Sequence, residues 1–474
     1  MATETTRTSR SSARSVKRHD GVFGGYNKLG PYAKAFDEMF DAQAMSVAPY
    51  KGIHTELAPS DVSDLEARAE ALGRAFIDQG ITFSLSGQER PFPLDLVPRV
   101  ISAAEWTRLE RGGIRQRVKA LEMYLEDIYG EQEILRDGVI PRRLVTSCEH
   151  FHREAVGIVP PNGGVRIHVA GIDLVRDEQG AFRVLEDNLR SPSGVSYVME
   201  NRRTMARVFP NLFATHRVRA VGDYSSHLLR ALRNAAANNV ADPTVVVLTP
   251  PGVYNSAYFE HSLLARQMGV ELVEGRDLFC RDNTVYMRTT EGERQVDVIY
   301  RRIDDDYLDP MQFKPDSVLG VAGILNAARA GNVVISSAVG NGVGDDKLVY
   351  TYVPPTIIEY YLGEKPLLAN VDTFRCWLDA EREEVLDRVD ELVIKPVEAR
   401  AATASCSAPP TPRRRNWPPS PRRSTPIRAA GSRNRWCSCR RCPPRSATIC
   451  RRATSTCGPS RSTTGTTSGS CPAG

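Results

Sequence analysis

Apolar residues recur at helical spacing through much of the first 240 positions. Ser60 to Gln79 (SDVSDLEARAEALGRAFIDQ) opens on Ser and Asp, which accept hydrogen bonds from the free N–H groups of a helix start, and continues as an amphipathic helix. Residues 31–45 (PYAKAFDEMFDAQAM) carry the same spacing. Ala103 to Tyr129 set Leu121, Tyr124, Leu125 and Ile128 on one stripe, and further helices are predicted from Tyr197 to Val208 and from Ser225 to Asn238. Between them the period changes to two. VRIHVAGIDLV (165–175) and AFRVLEDN (181–188) flank RDEQG, a turn sequence, and together predict a β-hairpin.

From Thr244 strands alternate with helices. TVVVLTP is a continuous apolar strand, EHSLLARQMG a helix with a Gly stop, VELVEG a second strand, NTVYMRT a third and VDVIYRR a fourth. Strand, helix and strand in short order predict a small Rossmann-like layer of an α/β fold. GxGxxG is absent, so no dinucleotide site is expected. Phe313 to Gly331 reads as a helix before NVVISSAVGNGVGDDK, Tyr352 to Leu362 and Val371 to Val389 read as helical, and ELVIKPVE ends the patterned part.

The hairpin carries candidate chemistry. If Asp177 and Gly180 flank the two central turn residues, Asp173 faces Val184. Side chains alternate along a strand, so Glu186 and Asn188 share the face of Val184, and Asp173 with them, while Asp187 points the other way. Asp173 and Glu186 are then diagonal neighbours, roughly 7–8 Å apart at the backbone. Two carboxylates and an amide oxygen on one face suit a hard cation such as Mg²⁺ that also holds phosphates. Acids on a wet hairpin face are common, but the rest of this face is apolar (Val165, Ile167, Val169). LRSPSG follows directly, and its Arg190, Ser191 and Ser193 suit an anionic substrate.

Other segments are weaker alone. GNGVGDDK (340–347) is not a Walker loop; it also reads as a turn with Asp345 or Asp346 capping a helix ahead of Lys347. Lys395 stands at a strand end, where lysines often snorkel to solvent. In RRIDDDYLDP, Arg301 and Arg302 leave a strand end, the place where α/β ligand crevices lie, although a salt-bridged loop reads as well. The two histidines of HFHRE (150–154) have no third ligand nearby and are not taken as a metal pair.

Composition splits the chain. The 474 residues carry a net charge of +5, but 15 arginines and no acid lie beyond Glu398, so residues 1–398 hold 47 basic and 57 acidic side chains. The body is acidic, as expected of a cytoplasmic enzyme. The last 76 residues contain no Leu, Val, Phe, Tyr, Met or Lys, and seven of the ten cysteines. No run reaches the ~18 apolar residues that span a membrane. The first 20 residues read as a disordered leader.

Taken in order, GVFGGYNKLG, GIDL (171–174), VLEDNLRSPSGVSYVMENR (184–202), IYRRIDDDYLDP, VGNGVGDDKLVYTYVP and LVIKPVE resemble the circularly permuted ATP-grasp proteins of the second type, over residues 21–398. The resemblance implies a permuted ATP-grasp fold, as in glutathionylspermidine synthetase. It implies a ligase that uses ATP and Mg²⁺ to activate a carboxylate as an acyl phosphate and joins it to an amine or thiol. By the match, Asp173, Glu186 and Asn188 are the Mg²⁺ ligands, Lys347 and Lys395 contact ATP phosphates, and Arg301 or Arg302 binds substrate. Arg190 joins these arginines as a candidate catalytic group.

In that family a loop reading like GSGGYG follows the KPVE lysine; here ARAATA follows. GAG GCT CGG GCG GCT ACG GCA codes EARAATA, and one G inserted after GAG yields EGSGGYG. The Arg, Pro, Ser, Thr and Cys of the tail are what GC-rich DNA gives out of frame, so 399–474 is expected to be a frameshifted, disordered C-terminus. CSCRRC has no histidine or ribbon repeat for zinc, and nucleic-acid binding is not expected. The expected organisation is a leader (1–20), a helical region with the metal hairpin (21–240), the Rossmann-like layer (241–335), the start of the nucleotide-binding part (336–398) and the tail (399–474). The intact protein is expected to be a ligase of small or peptide carboxylates and amines. This chain is expected to be weak or inactive, with a catalytically dead nucleotide-binding or scaffold protein as the alternative.

Overall fold

Side-chain caps set the starts of some helices and interrupt others that the spacing predicts. The computed structural model describes residues 34–397, apart from 86–87, 93, 159, 161–163, 238–239 and 253–254, together with 21–24, 26 and 447–451. The helix Val62–Asp78 starts where expected: Asp61 accepts from the Asp64 backbone N–H, and Asp64 returns the bond in a capping box. Its Leu72 and Phe76 pack with Ile53, Leu57 and Phe209. Ala103 to Ile128 is one continuous run, α-helical at both ends and π-helical over Arg108–Ile114. Gly113 lies in that wider turn, where a Cβ would sit 2.1 Å from Leu368 Cγ; the bare backbone admits the leucine.

Four expectations are corrected. Residues 34–45 are not helical: Asp37 accepts from the N–H of Met39 and Phe40, and Asp41 from those of Gln43 and Met45, so side chains take the donors a helix would use. The first hairpin strand begins at Gly171 rather than 165, because the Glu122 carboxylate takes the N–H groups of Arg166 and Ile167. Of 313–331 only Ile324–Arg329 is helical; Pro315 and Gly320 interrupt the pattern, and Asp309 accepts from Gly323 and Leu325 at its start. Of 371–389, Thr373–Arg375 is a strand and Asp379–Asp387 a helix.

The Rossmann-like layer is a four-stranded parallel sheet in the order Val334–Ser336, Val298–Arg301, Val245–Leu248, Glu271–Val273. Alternation sends Val246, Leu248, Ile299 and Ile335 to one core, and Val245, Val247, Val298, Tyr300 and Val334 to the other. Both faces are covered, which is why these strands read as unbroken apolar runs. NTVYMRT does not join this sheet. Asp282 and Asn283 both take positive φ, a two-residue turn that pairs Thr284–Thr289 antiparallel to Leu278–Arg281, with Gly292–Gln295 beyond.

A third sheet sets Ala447–Arg451 between Thr373–Arg375 and Leu392–Pro396, antiparallel to both. Thr448 and Ile449 are adjacent β-formers. The remaining calls on the leader and the tail fall outside the described residues.

Tyr350 ties the hairpin to the segment that leads into this third sheet. Its hydroxyl donates to Val184 O at 2.6 Å and accepts from Val371 N–H at 3.1 Å, fully inside the protein. Tyr350→Phe should lower the urea-unfolding free energy by about 1 kcal/mol; an unchanged midpoint would mean that the clasp does not form.

Candidate active site

The hairpin pairs Gly171–Arg176 with Phe182–Asn188. Its outer end matches Leu174 with Val184, but a bulge between Asp173 and Leu174 shifts the register, so Asp173 stands opposite Glu186 and Gly171 opposite Asn188. The sequence reading placed Asp173 opposite Val184. The bulge corrects that pairing and brings the two carboxylates from a diagonal to a direct cross-strand position. Asp173, Glu186 and Asn188 still share one face, and Asp187 takes the other.

The back of the hairpin is closed by an ion pair. Arg117, from the helix Arg115–Ile128, donates Nε and Nη2 to the two Asp187 carboxylate oxygens, each at 2.6 Å, and Nη1 to Asn370 Oδ1 at 2.9 Å. Both side chains are almost fully buried, and the guanidinium lies over the Tyr350 ring. Sequence reading missed this pair. The signal was available: Arg117 sits on the same stripe as Leu121, Tyr124 and Ile128, and a cation on a buried stripe requires a buried partner.

The front face carries concentrated charge. Partial withdrawal from water, then the adjoining Glu186 carboxylate, which shares a hydrogen bond with it, push the Asp173 carboxyl up to about 6; Lys395 acts in the opposite direction. Burial holds the Lys347 ammonium below its ordinary value, Glu186 works against that, and Lys395 adds to it. Asp173 and Lys347 therefore each lie within electrostatic reach of Glu186 and Lys395. Lys395 stands in the strand Leu392–Pro396, and Lys347 opens the helix Lys347–Tyr352.

The two aspartates before Lys347 divide the work. Asp346 caps the helix, accepting from the N–H groups of Leu348 and Val349 at 2.7 and 3.0 Å. Asp345 reaches back to the hairpin exit, accepting from Leu189 N–H at 2.5 Å and Arg190 Nε at 3.3 Å; burial pushes its carboxyl up to about 7. Lys347 is thereby fixed relative to Glu186 and Asn188.

The candidate arginines are engaged by other groups. Arg301 is fully buried, donates to the carbonyls of Ser337, Ile303 and Ala338, and pairs with Asp305 at 2.7 Å. Arg302 pairs with Glu260 at 3.2 Å and donates to Pro192 O. Arg190 touches Asp345, Asp304 and His150. His152 lies 3.7 Å from Asp305, and burial pulls the His150 imidazole down to about 4. Among the described residues no three His, Cys, Asp or Glu side chains form a metal-binding group, so the candidate set is two carboxylates and one amide. Two adjoining carboxylates, one of them already resisting ionisation, fit a hard cation that keeps several waters.

Residues 98–412 match the family model described as a circularly permuted ATPgrasp. That description extends to the family and not to the second type expected from the motifs. An uncharacterised protein of Mycobacterium tuberculosis is 85% identical over 385 residues, 81% of this chain and 69% of that one. One of Synechocystis is 50% identical over 76% of this chain and 75% of its own. A putative glutamate–cysteine ligase of Frankia casuarinae is 44% identical over 77% of this chain but 42% of its own length.

Two outcomes test the geometry. Arg117→Leu leaves Asp187 buried without a counter-charge and should cost about 3–5 kcal/mol in urea unfolding, most of it recovered in the double variant with Asp187→Leu. The second concerns pH. Asp173 releases its proton near 3.8 in an unfolded chain and near 6 when folded. The folded state is the better proton binder, so ionisation between those values costs stability, and a divalent cation offsets that cost only once the pair is ionised. Mg²⁺ should therefore raise the melting temperature at about pH 7.5 and not at about pH 4.5, with Asp173→Asn abolishing the difference.

Proposed function

The chain belongs to the circularly permuted ATP-grasp family, and from that premise we propose that it is an ATP-dependent carboxylate–amine (or thiol) ligase acting through an acyl phosphate. The observation that carries this reading is the gathering of Asp173, Glu186, Lys347 and Lys395 at one face. Asp173, Glu186 and Asn188 would hold Mg²⁺, which when bound neutralises charge on the transferring phosphoryl group. Lys347 and Lys395 would hold phosphate oxygens from the opposite side. Little covalent work falls to a protein in phosphoryl transfer, so fixed charges at fixed positions are most of the catalysis. The Frankia relative's name, a putative glutamate–cysteine ligase, supports the ligase class. Small or peptide carboxylates and amines are the proposed substrates and the cytoplasm the proposed location. No described helix is long and apolar enough to cross a membrane.

The tail bears on activity. Glycines after the KPVE lysine would let backbone N–H groups approach phosphate and let a loop close over the acyl phosphate. ARAATA offers none. We read 399–474 as a frameshifted replacement of the family's remaining nucleotide-binding segment, with the five-part organisation given above. This favours, as a second reading, a chain that folds around the site yet catalyses poorly.

Calorimetry with Mg·ATP decides between them. The chain as given should bind weakly or not detectably. The chain with the single base restored should bind, and should lose that binding on Lys395→Ala. Equal affinity of the given and restored chains would sink the frameshift reading.

A further inference from the structure

Three polar groups stand at the carboxyl ends of the parallel strands on one face. Val245 and Val247 point into the helix-covered core, and Thr249 continues their alternation, its N–H still bonded to Val273 O. Val298 and Tyr300 point the same way, and Arg302 follows, its N–H bonded to Leu248 O at 2.7 Å. Ser336 stands in register with Tyr300, so its hydroxyl is on that face too. Ligands of open α/β sheets bind beyond the carboxyl ends of the strands, which is where these side chains lie.

Thr249 is saturated: it meets His261 Nδ1 at 2.7 Å and Asn255 Nδ2 at 2.8 Å. The rest of the edge is not. Arg302 Nε, Ser336 Oγ and Ser191 Oγ are buried and find no hydrogen-bond partner among the described residues. The Arg302 side chain is 3% exposed and Ser336 is 0% exposed. Ser191 is brought there by its neighbours: Pro192 O accepts from Arg302 Nη1 at 2.9 Å, and Ser193 Oγ donates to Glu260 Oε1 at 3.0 Å. Unpaired buried donors carry a desolvation cost that an arriving acceptor removes. Ser193 itself is exposed, so the segment that carries Ser191 runs to the protein surface.

Charge narrows the ligand. Arg302 is already balanced by Glu260 at 3.2 Å. A carboxylate entering alone would leave the buried cluster net negative, which is costly. An α-amino acid brings its own ammonium, a further cation for the Glu260 carboxylate, which already accepts from Ser193 Oγ, Gly194 N–H and Arg302 Nη2. We propose that this edge is an α-amino acid subsite, with the ligand carboxylate on Arg302 Nε, Ser191 and Ser336 and the ligand ammonium on Glu260. Ser191 is three residues from Asn188, at most ~10 Å of extended chain, so an amino acid or short peptide held here reaches towards the metal face. The assignment of this amino acid as a ligase substrate rests on the proposed function; the binding itself does not.

Calorimetry on the full chain without nucleotide tests it, using the common L-α-amino acids and, for each that binds, its α-carboxamide and N-acetyl forms. At least one free amino acid should bind, both capped forms should lose tenfold or more, and Ser336→Ala should weaken binding about tenfold. The same Ser336→Ala should leave the melting temperature unchanged or raised, because the hydroxyl has no hydrogen-bond partner among the described residues. No binding by any amino acid, equal binding of capped forms, or unaltered affinity in Ser336→Ala would each overturn the subsite. Amino acid binding by a restored chain that fails to bind Mg·ATP would uphold the subsite and sink the ligase reading; Mg·ATP binding without amino acid binding would do the reverse.

Discussion

A buried arginine–carboxylate pair settles which way the hairpin faces. Asp187 lies between Glu186 and Asn188, and a strand that slips by one residue exchanges its two faces. With Arg117 waiting on the inner side, a slip would bury Glu186 or Asn188 against it and turn Asp187 outward. The bidentate geometry, at 2.6 Å on both oxygens, fits Asp187 in the observed register. Asn370 accepts from the third guanidinium nitrogen and donates to Tyr350 O, so the pair is held within a wider set of hydrogen-bonded groups. A half-satisfied pair at this depth would destabilise the fold rather than orient it.

The same device recurs where the site meets the parallel sheet. Arg301 gathers the carbonyls of Ser337 and Ala338, just ahead of the glycine-rich segment, while Asp305 pairs with Arg301 and accepts from Gly340 N–H. That segment then returns Asp345 to the hairpin exit. The segment that ends at Lys347 is thus held by Asp345 and by the buried Asp305 and Arg301. The hairpin face, by contrast, is left with like charges side by side. A satisfied ion pair thus lies behind the hairpin and adjoining carboxylates in front of it.

Much of this was legible in the chain. Alternation within Glu186, Asp187 and Asn188 was enough to separate Asp187 from its neighbours, but Val184, expected on the carboxylate face, pairs with Leu174 on the other, because the bulge interrupts the alternation. The partner itself was not legible: the bulge after Asp173 has no Gly or Pro to announce it. The lysines stood out only through the motifs around them, since a lysine at a strand end is ordinarily a surface residue. The arginines of RRIDDDYLDP looked like substrate contacts, and the structure places Arg301 among backbone carbonyls. Helical spacing over residues 34–45 failed because Asp37 and Asp41 compete locally for the same N–H groups. The subsite at the sheet edge could not be seen in sequence, because it depends on donors left without partners after packing.

The most direct test is an anomalous-scattering map from crystals of the frame-restored protein grown with Mn²⁺ and a non-hydrolysable ATP analogue. The account places one Mn²⁺ within about 2.0–2.3 Å of oxygens from both Asp173 and Glu186, with Asn188 alongside and Lys347 and Lys395 on the phosphates. A Mn²⁺ peak on Asp187, or one remote from the Asp173–Glu186 face with the nucleotide ordered, would contradict it.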